Sequence, residues 1–182
     1  SGGVGKHTSE AGMKQCKNNG VKFVNISPQK TDSPNFLKAD QVFIRPNTDT
    51  ALMLSLAYLL IVNNTYDKSF IQKYTVGFEE FKKYVTGDKN SKPCTPEWAS
   101  SITGVSVKKI NYLYEKIITK KTLISMSWSL QRASRGEQPL WMGITLASML
   151  GNIGKACGGF GFGYAAVNST GDIFDKIKWP SL

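Results

Sequence analysis

Residues 122–150 read TLISMSWSLQRASRGEQPLWMGITLASML. Thr122 to Met126 is short, apolar and β-branched at its start, which predicts a strand. Leu140 to Leu150 is apolar with small residues interspersed, which predicts a packed helix. Between them Trp128, Gln131, Arg132, Arg135, Glu137 and Gln138 crowd into eleven positions. A strand that hands over to a helix through a polar loop is the unit of an open α/β sheet. In such sheets ligands sit beyond the carboxyl ends of the strands. The stretch therefore points to a fold class and to a place for a site.

Working outward, VKFVNI at 21–26 is dense enough in apolar residues for a largely buried parallel strand. Gln41 to Ile44 is another short strand, closed by Pro46. A helix is predicted over 8–19, ended by Asn19-Gly20. Thr48 or Asp49 caps a long apolar helix through Val62, with Leu52, Leu56, Leu59 and Leu60 on one side and Asn63-Asn64 as its stop. Asp67 opens a helix with Phe70, Ile71 and Tyr74 inward, and Phe78, Phe81 and Val85 belong to the next, ended by Gly87. Thr95-Pro96-Glu97 is a strong helix start, Gly104 a stop, and Ser106 the next start. Strands 21–26, 41–44 and 122–126 are expected in one parallel sheet covered by helices. The expected architecture is a Rossmann-like three-layer α/β domain, incomplete, with a small parallel sheet and a helical insertion over about 64–120. Residues 151–182 read as a glycine-rich tail without regular structure.

The chain has 182 residues and 41% hydrophobic content, enough for one domain with a real core. Cys16, Cys94 and Cys157 lie far apart and form no CxxC pair, so one disulfide could form but no metal knot is expected. The single histidine, His7, leaves no multi-histidine metal site, and no metal ligands are assigned. The first residues show no basic region followed by an apolar one, and the apolar run 51–62 is too short to span a bilayer. The net charge of +10 favours an anionic partner, although lysines beside turns and on helix backs also suit a solvated basic face.

Three loops carry candidate chemistry. The first, Asn25-Ile26-Ser27-Pro28-Gln29-Lys30-Thr31-Asp32, comes after a strand, and its Ser27, Gln29 and Thr31 can hold ribose or phosphate oxygens. Against that stands an ordinary proline turn. The second, Arg45-Pro46-Asn47-Thr48-Asp49, puts a carboxylate at a helix start, where the helix dipole favours it and where it can accept two N–H bonds from a guanine edge. Against that stands plain N-capping. In the third, Trp128 can stack on a flat ring, Ser127, Ser129 and Gln131 can donate or accept, and Arg132 and Arg135 can meet phosphates. Against that stands a core tryptophan with surface arginines. The glycine-rich run 158–164 carries neither a dinucleotide fingerprint nor a P-loop.

Taken in order, five blocks resemble the molybdopterin oxidoreductases of the dimethyl-sulfoxide reductase family. They are similar above all to its trimethylamine-N-oxide, dimethyl-sulfoxide and biotin-sulfoxide reductases. The blocks are NISPQKTDS at 25–33, IRPNTDTALMLSLAYLL at 44–60, KYTVGFEEFKKYVTG at 73–87 with TPEWASSITGV at 95–105, SMSWSLQRASRGEQPLWM at 125–142, and LGNIGKACGGFGFGY at 150–164. Where many relatives have Gly-Thr-Asp, this chain has Asn47-Thr48-Asp49.

The resemblance implies a fragment of the family's third domain, which binds one arm of a molybdenum bis(molybdopterin guanine dinucleotide) cofactor. It implies that Asn25, Ile26, Ser27, Pro28 and Gln29 hold ribose and guanine, and that Asn47, Thr48 and Asp49 form the guanine-reading loop. Met126, Ser127, Trp128, Ser129 and Gln131 would approach the pterin side, with Arg132 facing the substrate cavity as the candidate catalytic residue. The molybdenum ligand would lie outside this chain. The whole enzyme would reduce S-oxides or N-oxides by oxygen-atom transfer, and the fragment alone would be inactive. The implied partners are the remaining domains of the same polypeptide, an electron-donor protein and a small oxide substrate, without nucleic acid or a membrane-spanning segment. The implied compartment is the periplasm, with the cytoplasm as alternative. The competing reading is a basic nucleic-acid-binding module, since helix, Gly104 turn and helix over 95–119 have helix-turn-helix spacing.

Overall fold

A computed structural model describes residues 9–88 and 92–162. His7 and the tail from Gly163 onward lie outside the described residues. The elements in chain order are α1 (Ser9–Asn18), β1 (Val24–Ile26), β2 (Asp40–Val42), α2 (Asp49–Val62), α3 (Lys68–Tyr74), α4 (Phe78–Thr86), α5 (Pro96–Thr103), α6 (Val107–Thr119), β3 (Leu123–Met126), α7 (Glu137–Met149) and β4 (Gly159–Phe162). The class is mixed α/β, a partial Rossmann-like three-layer fold with small parallel sheets between helices.

The core is built around α2. Its sequence offers no polar stripe, and residues 51–57, Leu60 and Ile61 are buried, so helices pack on nearly every side. The partners are α4, α5, α6 and α7. Burial thus extends beyond the side lined by Leu52, Leu56, Leu59 and Leu60. The helix ends as Asn63-Asn64 demands: Asn64 takes a left-handed φ of 55°. Thr65 N then donates to Leu60 O at 2.9 Å and Asn64 N to Ile61 O at 3.1 Å.

Local chemistry sets the other helix ends. Asp67, Thr95 and Ser106 cap α3, α5 and α6 by accepting the backbone N–H of Phe70, Trp98 and Lys109. Gly87 and Gly104 end α4 and α5 in the left-handed conformation. Tyr74 corrects its predicted inward placement: it is exposed and rests on the Phe70 ring, 4.9 Å between centroids. In the α5–α6 pair, Ala99, Thr103, Ile110 and Leu113 face the core. Tyr112 donates its hydroxyl to Asp40, while Lys109 and Lys116 lie over its ring at 4.5 and 5.2 Å.

The single three-stranded sheet is not what forms. Among the described residues β1 pairs only with β2, in parallel, and β3 pairs only with β4, also in parallel. The strand expected at 122–126 therefore lies outside the first sheet. Part of the expected irregular tail, Gly159 to Phe162, is its partner strand. A Cβ on Gly143 of α7 would stand 2.5 Å from Met126 Sδ and 2.8 Å from Phe160 Cε2. The glycine there lets α7 lie directly on the β3–β4 pair. The strand at 21–26 also departs from expectation: Val21, Val24 and Ile26 are exposed, because none of the described residues covers that face of β1.

Asp67 joins the helical region to α7. Its N–H donates to Met149 O at 2.7 Å, its carboxylate caps α3, and Lys155 Nζ lies 3.7 Å away. Cys16, Cys94 and Cys157 are free thiols, so no disulfide forms among them, contrary to the possibility their number left open. No helix of the described residues is long and apolar enough to cross a membrane.

Candidate functional site

Parallel pairing of β1 with β2 puts the first two loops side by side. Asn25 stands opposite Gln41, and Ser27 N donates to Val42 O at 3.1 Å. Asn25 Nδ2 donates to Gln41 Oε1 at 2.8 Å, and Gln41 Nε2 donates to Ser27 O at 3.2 Å. Gln41 thus orients the first loop, a role no motif announced, because it exists only once the two strands pair in this register. Ser27 is buried. Its hydroxyl accepts from Gln29 N at 3.1 Å and donates to Asp32. That hydroxyl shapes the turn, whereas Pro28 and the Gln29 side chain are exposed. Ile26 is exposed on the strand.

The second loop turns at Asn47, which adopts φ 63°. Asparagine tolerates that left-handed conformation better than most residues, so the turn forms without glycine. Thr48 stands at the N-cap of α2 but does not cap with its side chain; its Oγ1 donates to Arg45 O at 2.7 Å. Asp49 is the first residue of α2. Burial pushes its carboxyl above the ordinary value, opposed by a hydrogen bond from its own backbone. Among the described residues no other side chain meets this carboxylate. Capping by Thr48 or Asp49 side chains therefore does not explain the residues' presence.

The third loop is anchored to the other sheet. Trp128 to Gln131 forms a single 3-10 turn, capped by Ser127, which accepts from Ser129 N at 3.2 Å. The Ser127 and Ser129 hydroxyls lie 2.6 Å apart. Trp128 is 46% exposed, with its ring 5.8 Å from that of Phe162. It is neither core nor free. Met126 is buried beneath Gly143, so its side chain belongs to the core. Gln131, Arg132 and Arg135 are exposed, and no described carboxylate pairs with either arginine. The loop must return tightly to reach α7. Arg135 takes φ 57°, and a Cβ on buried Gly136 would stand 2.5 Å from Gln131 C. Among the described residues no group of three or more His, Cys, Asp or Glu gathers to hold a metal.

The arrangement offers a half-buried carboxylate at a helix start, amide side chains beside it, and a separate aromatic and guanidinium loop. That set suits a ligand with a hydrogen-bonding base at one end and anionic or polarised groups at the other.

Comparison with known proteins places the chain in a family. Residues 8–173 match the family described as molybdopterin oxidoreductase. The chain is 44% identical over 161 residues to a dimethyl sulfoxide/trimethylamine N-oxide reductase of Rhodobacter capsulatus, covering 88% of this chain and 20% of that protein. It is 38% identical over 182 residues to a biotin sulfoxide reductase of Cereibacter sphaeroides, covering 100% and 24%. It is 42% identical over 145 residues to a trimethylamine-N-oxide reductase of Vibrio cholerae, covering 79% and 18%. Among solved structures, acetylene hydratase from Pelobacter acetylenicus superposes with a TM-score of 0.67 at 21% identity, covering 79% of this chain and 19% of that one. At that identity the likeness speaks for the fold alone. The chain thus spans between 18% and 24% of the length of these relatives. Matched over nearly all of its length, the chain belongs to the molybdopterin oxidoreductase family and is related to its sulfoxide and N-oxide reductases.

Proposed function

We infer that this chain is part of the third, cofactor-binding domain of a molybdenum enzyme that reduces S-oxides or N-oxides. The supporting observation is Asp49: a half-buried carboxylate at the start of α2, its pKa raised by burial, with no side-chain partner among the described residues. A half-buried carboxylate that accepts only from its own backbone among the described residues gains from a further donor pair. The Watson–Crick edge of guanine supplies two N–H donors in that geometry. The residues therefore fit one guanine dinucleotide arm of the molybdenum cofactor. Asp49 would accept from the base, and the turn at Asn47-Thr48 would close around it. Asn25, held by Gln41, and exposed Gln29 would bind ribose or phosphate oxygens, with Ile26, Ser27 and Pro28 giving the loop its shape.

When bound, the cofactor supplies two-electron oxygen-atom transfer. This chain's residues bind and orient. Ser127, Ser129 and Gln131 present hydrogen-bonding groups, the Met126 backbone leads into the turn, and Trp128 offers a ring face. Arg132 carries a guanidinium with no carboxylate partner among the described residues, and it can stabilise charge developing on a polarised oxide. Residues 1–182 would act with the remaining domains of the same polypeptide, which would supply the metal ligand, and with an electron-donor protein, in the periplasm. The helical region at 64–120 and the residues from 151 onward belong to the same cofactor-binding unit on this reading.

The test is Asp49→Asn in the complete polypeptide. Guanine released by acid, measured per protein beside molybdenum, should fall, because the amide replaces one acceptor by a donor. Guanine and molybdenum contents equal to those of the unmodified protein would defeat the reading.

A further inference from the structure

We propose that Arg45 is a positioning residue for the nucleotide-binding loop, and that the carboxyl end of α5 is the platform on which it holds that loop. A helix leaves its last carbonyls without intrahelical donors. In α5 each of the last four finds one. Ser100 O accepts from Gly104 N at 3.0 Å, and Thr103 O accepts from Arg45 N at 2.9 Å. Ser101 O and Ile102 O accept from Arg45 Nη1 at 2.9 and 3.1 Å. One residue outside the helix therefore completes three of its four free acceptors, and its positive charge sits where the helix dipole is negative.

The fit is built on both sides. Gly104 ends α5 with φ 74°, and a Cβ there would stand 3.4 Å from Arg45 Nε. The Arg45 side chain packs against Gly104, where the left-handed backbone, rather than lack of room, calls for glycine. On the loop side, the Arg45 carbonyl accepts from Thr48 Oγ1 at 2.7 Å. Arg45 is thus gripped through its amide, its side chain and its carbonyl. The four-residue step from Arg45 to Asp49 contains Pro46, with φ fixed by its ring, and Asn47 in the left-handed region. Little freedom remains in the step, so fixing Arg45 fixes Asp49.

The consequence is that a segment remote in sequence sets the position of the base-reading carboxylate. The functional half of this inference rests on the guanine-binding reading of residues 47–49. The test is arranged so that the two can fail separately. The complete polypeptide is prepared unmodified and as Arg45→Met, Arg45→Lys and Asp49→Asn. Hydrogen–deuterium exchange of the cofactor-free protein reads the amides of 47–52 and 102–105, and guanosine diphosphate is titrated as the probe.

Arg45→Met keeps the aliphatic stem and removes the donors. It should speed exchange at both segments together while α6 and α7 stay protected. It should also weaken the probe about 2- to 30-fold, the range expected of a residue that acts through another. Arg45→Lys keeps the charge, but its nitrogen sits one bond nearer the backbone and lacks the fixed planar geometry, so it should restore only part of the protection. Unchanged exchange at 47–52 in Arg45→Met overturns the proposal. So does acceleration spread evenly over α2, α6 and α7, which would make Arg45 general scaffold. If Arg45→Met loosens both segments while Asp49→Asn leaves probe binding intact, the platform stands and the guanine reading of the loop falls.

Discussion

Gly136→Ala isolates the strain on which the third loop depends. Gly136 has φ −63° and ψ −14°, which alanine adopts freely, so backbone conformation gives no objection. Restricting the unfolded chain should even favour alanine by about 0.4–1 kcal/mol. Space decides otherwise. The added Cβ would lie 2.5 Å from Gln131 C and 2.7 Å from Gln131 Cα. That is about 1 Å or more inside the roughly 3.5–4.0 Å at which carbon atoms rest. The obstacle is backbone, so no rotamer change relieves it. Overpacking of this kind costs about 1–3 kcal/mol. The net is a local destabilisation of about 1–2 kcal/mol, or a displaced turn. Hydrogen exchange on the complete polypeptide should show the amides of 128–137 opening about 5- to 30-fold more readily. Amides in α2, remote from the turn, should be unaffected. Protection at 128–137 equal to or above that of the unmodified protein would refute the reasoning.

Asp49→Asn carries a second expectation beyond lost guanine, which should cost about 1.5–3 kcal/mol of binding. Burial raises the folded-state pKa of Asp49, so the cofactor-free fold binds that proton more tightly than the unfolded chain. Stability then falls as pH rises from the ordinary carboxylate range through the raised value, and Asn should remove that part of the slope. Thermal melts across that window check it, and an unchanged slope contradicts it. Arg132→Ala should lower turnover per molybdenum while guanine content stays normal; steady-state kinetics with unchanged kcat and KM would make Arg132 scaffold. Gly151→Ala should loosen α3 and α7 together, because Gly151 has φ 62° and a Cβ there would stand 2.6 Å from Asp67 Cγ. A left-handed alanine costs about 1–2 kcal/mol before any clash. Equal exchange at 67–71 and 147–151 would count against the Asp67 link.

The helix ends were legible because their chemistry is local. Asp67, Thr95 and Ser106 each cap the helix that starts beside them, and Gly87 and Gly104 each stop the helix that leads into them. The adjacency of the first two loops was legible too: the connection between the two strands is long enough for a parallel crossover, which brings their carboxyl ends to one side. The division into two sheets was not, since it depends on which strand meets which across the chain. GFGF at 159–162 alternates with period two, as a strand does, but its glycines also read as a tail. Pairing with β3, remote in sequence, decides between them. At the site, Asp49 was legible from its place before an apolar helix. Arg45 was not, since its carbonyl partners lie 56 and 57 residues away. Gln41 was hidden by the need to know the register.

The helical region between α2 and β3 packs on α2 rather than standing apart from it. Of the helices packed on α2, α4, α5 and α6 come from that region. Cutting it out would strip one side from the most apolar helix in the protein, and the same cut would remove the carbonyls that hold Arg45. Recombination between relatives should therefore cross over outside residues 49–149 rather than at the ends of the helical region. Length changes should gather in turns such as the one after Gly87. The unit of inheritance here is the wrapped helix together with its wrapping.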